Sequence, residues 1–273
     1  MTAEPWAAPR GLQGYRWPAA APRARLLLQH GFAEHAGRYV AHHNGLIPAL
    51  TAAGFDVHAF DLTGHGRSPG PRGLVDIGAM AGALTAARAG PPASLPLFLF
   101  GHSLGGLVTA LSVAREPEGL AGVVLSGPLL PFDASPLLRG FSRLLAAVAP
   151  RATVAKLGAP SGVSRIAAEV LAYVDDPLVC RVPVPARLGA SALAAGREVK
   201  AAFGRWRAPT LVVHGAADSY TDPKGSEALV AGIAAADKEL MLVPDGRHEL
   251  LNDLPRDAVL AKVTGWLAAH LPA

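Results

Sequence analysis

The sequence predicts an α/β fold, with a mostly parallel central sheet and helices on both of its faces. Short apolar runs of strand character alternate with helical stretches before residue 128 and again after residue 207, whereas residues 128–207 are mostly helical with proline breaks. We therefore expect residues 1–127 and 208–273 to form one core. Residues 128–207 should form a helical cap, inserted after the sixth strand, over the carboxyl edge of the sheet, where open α/β sheets place their sites.

The individual elements follow from hydrophobic spacing and from the glycines and prolines that interrupt it. Residues 1–23 are rich in proline and offer at most a short strand at Leu12–Trp17. Later apolar runs predict strands at Arg25–Gln29, Phe55–Asp61, Leu97–Phe100, Ala121–Ser126, Thr210–His214 and Glu239–Val243. Helical spacing predicts helices at Tyr39–Ala53, which Gly54 ends, and at Val75–Ala89, Leu104–Arg115, Leu137–Ala149, Val163–Tyr173, Lys224–Ala236 and Asp257–Leu271.

The composition limits the classes of function. Of the 273 residues, 51% are hydrophobic, which is ample for a core, and the net charge of +4 is scattered without the basic run that nucleic-acid binding requires. No apolar stretch reaches the length of a membrane span, and the first residues lack the apolar core of a signal peptide. The single Cys180 excludes an internal disulfide. We expect a cytoplasmic protein with room for a peripheral contact with lipid.

The segment between the predicted strand at 97–100 and the helix that follows contains a pattern typical of nucleophilic catalysis. It reads G-H-S-L-G, which places Ser103 between Gly101 and Gly105 at a strand-to-helix corner. This G-x-S-x-G pattern is typical of a nucleophile elbow, in which a tight turn raises the serine hydroxyl above the sheet. The glycines are needed because side chains there would clash with the turn. The sequence thus predicts that Ser103 is a nucleophile.

A serine hydroxyl needs a base, and the base needs an orienting acid, in the chain order serine, acid, histidine for this kind of elbow. Asp218 lies in the loop after the predicted strand at 210–214, and His248 lies in the loop after the next strand. We predict that these two complete a triad with Ser103. Asp222 and Asp245 are rival acids farther from the strand ends.

Two backbone N–H groups are expected to stabilise the oxyanion of an acyl transfer. The predicted donors are Leu104, directly after the nucleophile, and Phe32, in the loop after the first core strand. The sequence has no H-E-x-x-H motif, and its lone cysteine excludes thiolate clusters, so we expect neither a metal nor a cofactor.

Several segments resemble monoacylglycerol lipases, which are capped α/β-hydrolases grouped with lysophospholipases and serine aminopeptidases. The similar segments are H-G-F-A-E-H-A-G-R-Y (30–39), F-D-L-T-G-H-G-R-S-P-G (60–70), G-H-S-L-G-G (101–106), L-V-V-H-G-A-A-D (211–218) and D-P-L-V-C (176–180). The resemblance covers roughly residues 24–270. It implies the α/β-hydrolase fold, the same triad and oxyanion donors, and a cap whose apolar underside takes an acyl chain.

The resemblance also draws attention to two further groups of residues. Glu34 and Arg38, four apart in the first motif, either brace the oxyanion loop or form a solvated surface pair. In the cap, one helical stripe is predicted to hold Leu137, Leu138, Leu144, Leu145 and Val148. Cys180 ends the D-P-L-V-C segment. The cap residues expected to contact an acyl chain or a lipid surface are Leu137, Leu138, Leu144 and Cys180.

We therefore predict a serine hydrolase that cleaves carboxylic esters of single-chain lipids, with a monoacylglycerol or similar ester as substrate. A lysophospholipase and a generic short-chain carboxylesterase are alternatives with the same chemistry. An alternative from a different class is a non-catalytic receptor for a small lipid on the same scaffold, which the complete triad disfavours. The expected partner is a lipid ester, with transient contact with a lipid surface through the cap; the sequence gives no oligomeric state.

Overall fold

The computed structural model of the chain describes residues 1–90 and 94–271. The strands in these residues are β1 Glu4–Ala7, β2 Gln13–Trp17, β3 Ala24–Gln29, β4 Phe55–Phe60, β5 Leu97–His102, β6 Gly122–Ser126, β7 Thr153–Ala155, β8 Val184–Pro185, β9 Thr210–Gly215 and β10 Lys238–Val243. The α-helices are α1 Arg38–Ala41, α2 Leu46–Ala52, α3 Ile77–Arg88, α4 Leu104–Arg115, α5 Pro136–Val148, α6 Ala167–Asp175, α7 Ala186–Ala201, α8 Pro223–Gly232 and α9 Arg256–Ala269.

One sheet organises the molecule, with the strand order β1-β2-β4-β3-β5-β6-β9-β10. The pairs β1–β2 and β2–β4 are antiparallel, and every later pair in this order is parallel. The carboxyl ends of β3 through β10 in this sheet therefore meet at one edge. This topology confirms the predicted mostly parallel sheet.

Helices cover both faces because successive strand residues point to opposite sides. In β3, Leu27 packs into a cluster with side chains of α3, α4, α7 and α8. Its neighbours Leu26 and Leu28 pack into a second cluster with side chains of α1, α2 and α9. Strands buried on both faces read as continuous apolar runs, which is why the sequence located them so well.

The segment after β6, the sixth strand, leaves the sheet before β9 resumes it. It contains α5, α6, α7 and the small antiparallel pair β7–β8. α7 packs against α3 and α4, and α5 packs in turn on α7. The predicted helical insertion after the sixth strand is therefore confirmed. No helix in the described ranges combines the length and apolar character needed to cross a bilayer.

Two local predictions are wrong. The predicted helix at 39–53 is divided into α1 and α2 by His43, Asn44 and Gly45, which have φ values of 50°, 53° and 62°. A left-handed backbone cannot continue a right-handed helix. β1 was not predicted, and it extends the sheet by pairing with β2.

Candidate active site

The corner between β5 and α4 is built as a strained turn around Ser103. Its backbone has a φ of 53°, which is costly for a residue with a side chain. A Cβ at Gly105 would lie 2.2 Å from the carbonyl oxygen of Gln29, and one at Gly101 would lie 2.6 Å from that of Gly105. Only glycine fits at these two positions, so α4 can start directly against β3.

Three loops at the carboxyl edge bring the predicted triad residues together. Ser103 follows β5, Asp218 follows β9 and His248 follows β10. The Oγ of Ser103 lies 2.8 Å from Nε2 of His248, and Nδ1 of His248 lies 2.7 Å from Oδ2 of Asp218. A carboxylate can only accept, so Nδ1 carries the proton and Nε2 is free to accept one from the serine.

Asp218 is held as an anion by its surroundings. Its side chain is fully buried and accepts hydrogen bonds from the Thr221 hydroxyl at 2.8 Å and from the Tyr220 N–H at 2.8 Å. Burial by itself raises the pKa of Asp218, but His248 and the hydrogen bonds outweigh it and hold the pKa well below its usual range. The rival acids are both exposed: Asp222 caps α8 through the Lys224 N–H, and Asp245 lies in the turn before His248.

His102, directly before the nucleophile, was missed by the sequence analysis. Its ring centroid lies 4.9 Å from that of His248, and its Nδ1–H donates to the Ser126 carbonyl at 2.9 Å. Burial, followed by repulsion from His248, lowers the pKa of His102 to about 3, so this ring stays neutral beside the base. The sequence signal for His102 was its place as the second residue of the G-x-S-x-G motif.

The predicted oxyanion donors belong to the same cavity as the nucleophile. Phe32 and Leu104 both line the cavity above Ser103. As the first residue of α4, Leu104 has no earlier carbonyl within the helix to bond, so its N–H is left for another acceptor. Gly31 precedes Phe32, and its own N–H donates to Oε1 of Glu34 at 2.7 Å.

Glu34 and Arg38 form a buried pair, which excludes the solvated surface pair. Nη1 of Arg38 lies 2.9 Å from Oε2 of Glu34, and the two residues are 1% and 2% exposed. Arg38 also binds both carboxylate oxygens of Glu249, the residue after His248. Glu249 had no signal in the sequence because its partner lies more than 200 residues away along the chain.

The same cluster is the candidate for a metal site within the described ranges. Glu34, His43 and Glu249 place ligand atoms within 4.8 Å of one another. The guanidinium of Arg38 already binds both carboxylates through the contacts given above. Because the Arg38 guanidinium already lies between the two carboxylates, we assign no metal to this cluster.

A cavity of about 590 Å³ opens above Ser103 and His248. This volume is within the range of small-molecule sites. Its walls are mainly apolar and come from the core loops and from the segment between β6 and β9. Prominent lining residues are Phe32, Leu129, Leu138, Leu157, Leu188 and Leu193.

For Leu137 and Leu144 the structure excludes the cavity and leaves contact with a lipid surface as the prediction, and for Cys180 it excludes both. Leu138 lines the cavity, whereas Leu137 and Leu144 point to solvent on α5 and are 83% and 63% exposed. They differ because the side chain of Leu138 is turned by about 100° around the helix from that of Leu137. Cys180 is 4% exposed and packs against Ala33 and Tyr173 rather than on the cavity. Burial raises the pKa of its thiol.

A mostly parallel sheet with a serine elbow, a histidine and an acid at its carboxyl edge defines the α/β-hydrolase class. Within this class, residues 20–255 match the family described as "Serine aminopeptidase, S33". The chain belongs to this family.

Individual relatives are similar in sequence to this chain over nearly its whole length. The monoacylglycerol lipase of Mycolicibacterium smegmatis is 36% identical over 93% of this chain and 91% of its own length. The monoglyceride lipase of Mus musculus is 33% identical over 95% and 87% of the two chains. The crystal structure of the Paleococcus ferrophilus monoacylglycerol lipase superposes with a TM-score of 0.84 at 30% identity, covering 95% of this chain and 99% of that one.

Proposed function

We propose that this protein is a serine hydrolase that cleaves carboxylic esters of single-chain lipids, and monoacylglycerols in particular. The observation that carries the proposal is the hydrogen-bonded chain from Ser103 Oγ through His248 to Asp218, at the floor of a mainly apolar cavity. A receptor that merely held a lipid would need the apolar walls but not this proton path.

In the proposed reaction, Nε2 of His248 takes the proton of Ser103 as Oγ attacks the ester carbonyl. The N–H groups of Phe32 and Leu104 stabilise the resulting oxyanion. His248 then gives its proton to the leaving alcohol, and an acyl-serine remains. Water, activated by the same histidine, releases the fatty acid and restores Ser103. Asp218 stays ionised throughout and holds the imidazole in the productive tautomer.

The substrate class rests on the cavity and on the relatives. An acyl chain gains by leaving water for the leucine-rich walls, at about 0.8 kcal/mol for each buried methylene group. The relatives described above are named for monoacylglycerol or monoglyceride hydrolysis. A lysophospholipid and a short-chain ester remain the alternatives for the same machinery.

We also propose that residues 128–207 act as a cap that meets a lipid surface. Four apolar side chains form the outer stripe of α5 and are 61–83% exposed: Leu137, Phe141, Leu144 and Val148. Residues 128–207 carry 11 Lys and Arg against 5 Asp and Glu, whereas the rest of the chain carries 14 against 16. An exposed apolar stripe on a basic segment suits an anionic lipid surface. A cytoplasmic location is part of this proposal, and the free thiol of Cys180 suits it.

The test is a substrate panel. Purified protein is given monoacylglycerols of graded chain length, lysophospholipids and p-nitrophenyl esters, and Ser103→Ala is the control. We expect the highest kcat/KM on a monoacylglycerol, labelling of wild-type protein by a fluorophosphonate, and the loss of both in the variant. Preference for a lysophospholipid would reassign the substrate, and binding of lipid without turnover would favour the receptor.

A further inference from the structure

A buried ion bridge links the loop of one predicted oxyanion donor to the loop of the predicted base. Arg38 lies between two carboxylates. Its Nη1 binds Glu34 Oε2 at 2.9 Å, and its Nη1 and Nη2 bind the two oxygens of Glu249 at 2.8 and 3.0 Å. The three residues are 1–3% exposed. The bridge is therefore shielded from bulk water.

At one end, the bridge fixes the backbone before Phe32. Oε1 of Glu34 accepts the Gly31 N–H at 2.7 Å and the Tyr39 hydroxyl at 2.7 Å. Because the Gly31 and Phe32 peptides share the α-carbon of Gly31, a shift of the Glu34 carboxylate would also move the Phe32 N–H.

At the other end, the bridge fixes the backbone after His248. The Glu249 N–H donates to the Val163 carbonyl at 2.9 Å, and Oε2 of Glu249 accepts the Asn252 amide at 2.6 Å. Together with the two contacts from Arg38, the Asn252 hydrogen bond fixes the orientation of the Glu249 carboxylate. A shift of Glu249 would therefore move His248, its neighbour in the chain.

The surroundings keep both carboxylates of the bridge charged. Burial by itself raises the pKa of Glu249, but Arg38 and His43 outweigh it and lower the pKa to about 2. The pKa of Glu34 is likewise held well below its usual range against the effect of burial, by His43 and Arg38. Both carboxylates are thus ionised near neutral pH. Loss of the Glu249 carboxylate would remove the acceptor of hydrogen bonds from Nη1 and Nη2 of a buried guanidinium, which is costly.

We infer that Glu249 is a positioning residue, which acts through Arg38 and Glu34 to hold the Phe32 N–H in register with the His248 ring. This inference rests on the proposed function, because it assigns those two groups to oxyanion binding and proton transfer. Misplacement by 1 Å in such a site can cost about 100-fold in rate. The bridge would therefore affect the chemical step more than substrate binding.

The test variant is Glu249→Gln, which keeps the shape but replaces one acceptor oxygen by an amide that faces the Arg38 donors. We measure kcat and KM on p-nitrophenyl butyrate, with active sites counted by fluorophosphonate titration. We expect kcat per active site to fall by about 10- to 100-fold with KM within twofold of wild type. Arg38→Lys, which keeps the charge but loses the two-pronged contact, should show the same pattern if the first variant does not fold.

The matched control is Asp56→Asn at the amino end of the sheet. Asp56 is also buried and is bound through both carboxylate oxygens by the Nε of one arginine, Arg16. This control should lower Tm while leaving kcat per active site unchanged. A Glu249→Gln variant that behaves like the control, losing Tm but not kcat per active site, would overturn the positioning role.

A second readout is the coupling between the two carboxylates. If Glu34 and Glu249 act through one arginine, the double variant Glu34→Gln, Glu249→Gln should be little slower than the slower single variant. Multiplicative losses would contradict the bridge. The rate of Ser103 phosphonylation gives the same comparison without an ester substrate. If wild-type protein reacts with the fluorophosphonate but hydrolyses no ester, the proposed function is refuted, and the phosphonylation rates still test the bridge.

Discussion

The outer stripe of α5 gives the most direct test of contact with a lipid surface. We consider the double variant Leu137→Ser, Phe141→Ser, whose two side chains are 83% and 61% exposed and contribute nothing to the core. Full burial of one leucine or phenylalanine is worth about 1.5–3 kcal/mol. Scaled by the exposed fractions, the variant forfeits about 2–4 kcal/mol of transfer free energy, so its affinity for vesicles should fall between about 30-fold and 1000-fold.

The assay compares binding and turnover. Binding is measured by sedimentation with vesicles of phosphatidylcholine and phosphatidylglycerol, and turnover with a long-chain monoacylglycerol in those vesicles and with p-nitrophenyl acetate in solution. We expect weaker binding and slower vesicle turnover, with the soluble ester unaffected. A control pair, Leu242→Ser and Leu254→Ser, removes leucines that are 41% and 64% exposed on the core and should bind as wild type does. Equal losses on both substrates together with a lower Tm would refute the reasoning, since they would show that the stripe is packed.

Three further predictions concern single residues. Asp218→Asn should lower kcat by about 10⁴-fold because it favours the wrong histidine tautomer, whereas Asp222→Asn should stay within twofold; the reverse result in ester assays would reassign the acid. Because the folded pKa of Glu249, about 2, lies below its ordinary 4.5, its contribution to stability is present above about pH 4.5 and is lost as the pH falls toward 2. Thermal unfolding at pH 7 to 2 should show this loss, and Glu249→Gln should show less of it. Cys180 should resist a hydrophobic maleimide in the folded protein and react in urea, as followed by mass spectrometry, because it is buried; labelling that slows hydrolysis would instead place it at the cavity.

The sequence predicted the sheet and the chain order of the triad residues for the same physical reason. Parallel strands covered on both faces are mainly apolar, so they stand out as short runs even where β4 also buries Asp56 and His58. Their carboxyl ends share one edge, so Ser103, Asp218 and His248, each placed after such a run, were expected to be neighbours. β1 escaped detection because Glu4–Ala7 is mostly exposed and depends on pairing with β2.

Contacts between distant parts of the chain were beyond the sequence. The pairing of Arg38 with Glu249 depends on how the loops after β3 and β10 approach each other, and no local pattern encodes that approach. Likewise, helical spacing indicated a stripe on the cap helix, but packing on α7 decides that Leu138 meets the cavity while Leu137 meets solvent. Helical periodicity identifies which residues share one face of a helix, whereas tertiary packing determines what that face contacts.

The unequal distribution of charge has a consequence for the proposed contact of residues 128–207 with a lipid surface. Residues 128–207 have a net charge of +6 and the remainder of the chain a net charge of −2, so the protein has an electric dipole directed toward its cap. Near a negatively charged surface this dipole experiences a torque that turns the cap, and with it the outer stripe of α5, toward the lipid before any contact is made. The field is screened over about 8 Å at physiological ionic strength, so this orientation occurs only in the final approach. Added salt should therefore slow arrival at the surface while leaving the chemistry of a bound substrate unchanged.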